Sequence, residues 1–78
     1  MAMDEVETRL LKAINARLGA SPALPDELTS LGVDSVKMAD FIIAIEERFD
    51  IRVDQDIWDV ETVAELAAYI RTRRQPKA

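Results

Sequence analysis

Seventy-eight residues with 15 acids, 10 bases, no histidine and no cysteine make one small acidic domain without a disulfide, a thiolate metal site or an imidazole base. Lacking covalent staples, it must rest on an apolar core, and a hydrophobic share of 49% is enough to build one. All four basic residues of 71–78 lie in an acid-free tail, so the first seventy residues hold 15 acids against 6 bases, a body that excludes nucleic acid as the natural partner and suits basic proteins.

Asp4 followed by Glu7 is a helix-start signal, and Val6, Leu10, Leu11, Ile14 and Leu18 repeat at helical spacing until Gly19. A first helix is predicted from about Asp4 to Leu18. Residues 19–34 form a long connection broken at Ser21-Pro22 and Pro25-Asp26, with Leu24, Leu28, Leu31 and Val33 available to anchor it. A second helix is predicted from Ser35 to about Phe49, with Ser35 as its N-cap. At about 100° per residue, Met38, Phe41, Ile42, Ile45 and Phe49 share one face and are assigned to the core. Val36 and Ile43 lie on nearly the opposite face among Asp40 and Glu47, a candidate docking strip for a partner.

Ile51 and Val53 follow in an extended link, and Asp56-Ile57-Trp58-Asp59 predicts a short helix or turn with Trp58 packed at the edge of the core. Thr62 with Glu65 is a capping box, and Val63, Leu66, Ala67 and Ile70 predict a last helix ending near Arg73. The expected fold is all-α, a four-helix bundle of three main helices and one short one, with a domain over 1–74 and a frayed tail over 75–78. No apolar run reaches spanning length and no export signal opens the chain, so a soluble, cytoplasmic monomer without membrane contact is expected.

Ser35 has no neighbouring base to make it a nucleophile, and the abundant carboxylates form no recognisable catalytic or metal-binding spacing. It does stand at a helix N-terminus, where unpaired N–H groups and the helix dipole favour a phosphate. Leu31-Gly32-Val33-Asp34-Ser35-Val36 resembles the Leu-Gly-x-Asp-Ser-Leu signature of the acyl carrier protein family. Ile45-Glu46-Glu47-Arg48-Phe49-Asp50-Ile51 and Thr62-Val63-Ala64-Glu65-Leu66-Ala67 resemble that family's second-helix end and last-helix start, so the likeness spans nearly the whole chain.

The resemblance implies a covalent 4′-phosphopantetheine on Ser35, installed from coenzyme A by a phosphopantetheinyl transferase and carrying cargo as a thioester. It implies a carrier with no catalysis of its own, and partner-facing roles for Asp34, Val36, Asp40, Ile43, Glu46 and Glu47. Asp34 would repel a phosphodiester, so contact with the transferase or other basic partners suits it better. Val36 in place of the usual Leu, Lys37 in place of an acid, and Arg48 within an acidic helix end depart from fatty-acid carriers. Residues 56–67 are more similar to carriers of polyketide and nonribosomal-peptide assembly, although Asp34 is acyl-carrier-like where peptidyl carriers often have histidine. The expected function is a stand-alone acyl or aminoacyl carrier of specialised metabolism, served by acyltransferase, adenylation, ligase or ketosynthase-type enzymes. The alternatives are a carrier of fatty-acid synthesis and an unmodified helical adaptor.

Overall fold

The structure, a computed structural model, describes residues 4–19 and 21–74. Three α-helices, α1 (Glu5–Leu18), α2 (Ser35–Phe49) and α3 (Val63–Arg73), are joined through two short 3-10 turns, Thr29–Leu31 and Gln55–Asp59. The architecture is all-α as expected, its short fourth helix being the second 3-10 turn. The predicted tail over 75–78 lies outside the described residues. Among the described residues no helix is long and apolar enough to cross a membrane.

Each α-helix begins and ends on local chemistry. Asp4 accepts the Glu7 N–H at 2.8 Å while Glu7 accepts the Asp4 N–H at 3.2 Å. Gly19 closes α1 in the left-handed region at φ 68°, donating its N–H to the Asn15 carbonyl. Thr62 and Glu65 cap α3 in the same reciprocal way. The cap of α2 differs from expectation. Asp34, in extended backbone, accepts the Lys37 N–H at 2.9 Å, and Ser35 is the first helical residue. A carboxylate is as good a cap as a hydroxyl, and one residue earlier it meets the N–H that Ser35 would otherwise have taken.

The core joins Val6, Leu10 and Ile14 of α1 to Met38, Phe41, Ile45 and Phe49 of α2 and Val63, Leu66, Ala67 and Ile70 of α3. Ile42, expected in this core, is only partly buried against it. The long connection is pinned by Leu28 and Val33, both buried, with Leu24 and Leu31 packed alongside. It also caps α3: the Val63 and Ala64 N–H groups donate to the carbonyls of Asp26 and Leu24, and the Leu28 N–H donates to the Glu61 carbonyl at 2.8 Å. These bonds satisfy orphan donors at the start of α3 and tie the segment before Ser35 to that helix. Ion pairs of Arg71 with Asp4 and Glu7, and of Arg74 with Glu5, fasten the end of α3 to the start of α1. Their side chains are exposed or half-exposed, and each pair contributes about 1 kcal/mol or less.

Trp58 does not pack into the core edge; half of it is exposed. The preceding residue, Ile57, is completely buried and fills that slot. In a 3-10 turn neighbouring side chains diverge by about 120°, so burying Ile57 turns Trp58 outward.

Candidate functional site

The geometry around Ser35 follows residue by residue from Leu31 to Ser35. Gly32 sits at φ 88°, a left-handed conformation that side chains resist, although a Cβ there would meet no neighbour. The glycine is required by backbone shape, not by crowding. Val33 then plunges into the core, donating its N–H to the Leu28 carbonyl at 3.0 Å. Asp34 caps the helix, and Ser35 emerges exposed on its first turn. Among the described residues the Ser35 hydroxyl makes no hydrogen bond, and the N–H groups of Ser35 and Val36 find no acceptor. An exposed hydroxyl beside unclaimed N–H donors fits a phosphodiester. The Asp34 carboxylate is engaged by the Lys37 N–H, which offsets part of its repulsion.

Beside Ser35 lies an open groove of about 460 Å³. Leu28, Val33, Met38, Trp58 and Val60 give it an apolar lining, and Glu27, Thr29 and Glu61 supply polar groups. The turn carrying Trp58 is held by a polar clasp. Arg73 bridges Asp54 at 2.8 Å and Asp56 at 2.9 Å and lies over the Tyr69 ring. The Tyr69 hydroxyl donates to Asp56 at 2.6 Å and accepts the Asp54 N–H at 3.1 Å. The Tyr69 hydrogen bond, aided by Arg73 and opposed by partial desolvation, holds the Asp56 carboxyl below its usual range. Burial, with the bond to Asp56, pushes the Tyr69 phenol up. Sequence reasoning missed this clasp, whose members are brought together only by the turn between the link and α3.

The six residues expected to face partners fall into distinct environments. Val36 and Ile43 are 76% and 58% exposed, forming the apolar strip read from the helical wheel. Glu47 is exposed beside them and makes no ion pair among the described residues. Asp40 is exposed but paired with Arg17 of α1, so its charge is partly neutralised from within the chain. Glu46 is half-buried, and its carboxylate accepts the Val53 N–H at 3.0 Å, securing the link after α2. Asp34 is the cap. Lys37 and Arg48 are both exposed but lie about 100–120° round α2 from Val36, off the strip itself.

Residues 8–70 match the family model described as the phosphopantetheine attachment site. The chain belongs to the acyl carrier protein family. It is 32% identical over 76 residues to an acyl carrier protein of Phenylobacterium zucineum, the match covering 91% of this chain and 96% of that one. It is 31% identical over 75 residues to that of Acidothermus cellulolyticus, covering 90% and 89%. A crystal structure of an acyl carrier protein from Thermotoga maritima shares the fold, with a TM-score of 0.74 at 15% identity over 92% of this chain and 94% of that one. The chain is therefore a carrier rather than a catalyst, and the family's cofactor is covalent 4′-phosphopantetheine. Acyl carrier proteins receive that group from phosphopantetheinyl transferase and serve acyl-handling enzymes.

Proposed function

We propose that Ser35 carries the 4′-phosphopantetheine arm and that the carrier presents an acyl or aminoacyl thioester to enzymes of polyketide or nonribosomal-peptide type. The observation that carries the reading is the position of Ser35: exposed, unbonded at its hydroxyl, and on the first turn of α2 beside an open groove. The bound arm supplies a thiol, which this cysteine-free chain lacks. The chain's own part is to expose Ser35, fix the helix start through Asp34, and offer Val36, Ile43 and Glu47 to partners. Tethering raises the cargo's effective concentration at each partner's site.

Lys37 and Arg48, as departures from the fatty-acid carrier pattern, support specialised metabolism, and so does the Arg17–Asp40 pair, which partly neutralises the acidic face on which a basic partner would dock. A fatty-acid synthesis carrier is the second reading, favoured by Asp34 before the serine and by the relatives' names as acyl carrier proteins. Incubation with coenzyme A and a broad-specificity transferase should add one phosphopantetheinyl group, read by intact mass, and Ser35→Ala should add none. Equal loading of the alanine variant would overturn the assignment. Intact mass of the protein from its producing cells decides the cargo: aminoacyl or branched polyketide thioesters support the first reading, and a saturated fatty-acyl series supports the second.

A further inference from the structure

We propose that the face between the Val36–Ile43 strip and α1 is a docking surface for a partner with an acidic edge, a preference set by Lys37, Arg17 and Arg48. The inference deepens the reading of Val36 and Ile43 as partner contacts and rests on it. The chain as a whole is acidic, with 15 acids against 10 bases. Around this face the balance is reversed. At about 100° per residue, Lys37, Ala44 and Arg48 share one side of α2, about 80–120° round from Val36. Ala44 is buried there, in a crease it shares with Ala13 and Ile14 of α1, so this side is the seam between the two helices. Lys37 and Arg48 stand exposed at its two ends, and neither makes an ion pair among the described residues.

Arg17 continues the cationic edge from α1. Its guanidinium reaches across the seam to Asp40, which lies between the strip and the seam, about 40° from Val36. A guanidinium has several N–H donors, so Arg17 neutralises Asp40 and still offers N–H groups outward. Glu47 is then the unpaired acid of this face, against the unpaired cations Lys37 and Arg48. The other flank of the strip has no cation. It holds Ala39, Ile42 and the half-buried Glu46, whose carboxylate is committed to the Val53 N–H. The face therefore has an apolar border and a cationic border, and long Lys and Arg stems let the charged ends lean toward whatever covers it. A complementary partner lays apolar side chains on Val36 and Ile43 and turns carboxylates toward α1. A second copy of the chain is a poorer occupant, because two α2 helices packed antiparallel through their strips set one cationic edge against the other.

Two stapled amphipathic helical peptides serve as probes. They share a leucine face and differ only along one edge, glutamate in one and lysine in the other. Each is titrated at low salt into the isotope-labelled full chain, and binding is read from the backbone amide shifts. The glutamate-edged peptide is expected to bind about eightfold tighter, since each of three exposed charge pairs contributes about twofold. The advantage should fade as salt rises. The shifted amides should be those of Val36, Lys37, Ile43 and Arg48 on α2 and Arg17 on α1. The double variant Lys37→Glu with Arg48→Glu changes exposed residues only, so it should keep the parent's helical content while reversing the preference. Equal binding of the two peptides, tighter binding of the lysine-edged one, binding of neither, or shifts away from this face would overturn the proposal. So would a dimer of the chain through the strip, read by sedimentation. None of these results alters the loading of Ser35 read by intact mass, so the carrier assignment would survive them. Failure of Ser35 to load would instead remove the carrier assignment, and with it the partners for which the face is proposed.

Discussion

Ile43→Ala and Ile45→Ala are the same chemical change made two residues apart on α2, and the structure assigns them opposite consequences. Ile45 is 3% exposed and Ile43 is 58% exposed. Truncating Ile45 removes three carbons at about 0.8 kcal/mol each and leaves a void. Neighbours close only part of such a void, because Ile45 is buried in a core built from side chains of all three helices. Transfer and cavity together come to about 3–4 kcal/mol. A domain of this length has a total stability of roughly 4–12 kcal/mol, so the variant forfeits a large share and should melt about 12–30 °C lower. Ile43→Ala should stay within about 0.5 kcal/mol of the parent. Its loss should fall on partner transfer instead, where removal of a central docking contact costs about 1 kcal/mol or more, roughly a fivefold drop in rate. Thermal melts and an arm-transfer assay on both variants read the two effects. A melt of Ile43→Ala as low as that of Ile45→Ala would refute the division of this helix into a core face and an outer strip.

Asp34→Ala should lower stability by about 1 kcal/mol through loss of the cap, whereas Ser35→Ala, one residue inside the helix, should change the melt little. Arg17→Gln should speed loading by a basic transferase about two- to threefold at low salt by unmasking Asp40, and Glu47→Lys should slow it; both effects should fade as salt rises, and the Arg17 gain should vanish in the Asp40→Asn background. Because Asp56 is held below its ordinary pKa of 3.8, it adds stability above that value that is lost as pH falls through the lowered one. Tyr69→Phe removes the main cause of that depression, so its melting temperature should fall less than the parent's between about pH 5 and pH 2.

The sequence alone determined the helices and the position of Ser35, because those depend on interactions within a few residues. Asp4 and Glu7, Thr62 and Glu65, and Gly19 act on their own turns, and each lies at its helix end. The spacing of Met38, Phe41, Ile45 and Phe49 likewise fixed the buried side of α2, and with it the exposure of Val36 and Ile43. The choice between Asp34 and Ser35 as cap was also local, yet two good caps stood side by side and only the backbone angles decided between them. Tertiary structure decided what depends on side chains distant in sequence. Arg17 reaches Asp40 across 23 residues, and Arg73 reaches Asp54 across 19, pairings that no periodicity encodes. Trp58 is exposed because Ile57 claims the space beneath the turn, a competition settled only when the core packs. The groove that joins Trp58 to Ser35 exists for the same reason: the loop, α2 and the second 3-10 turn converge there only in the folded chain.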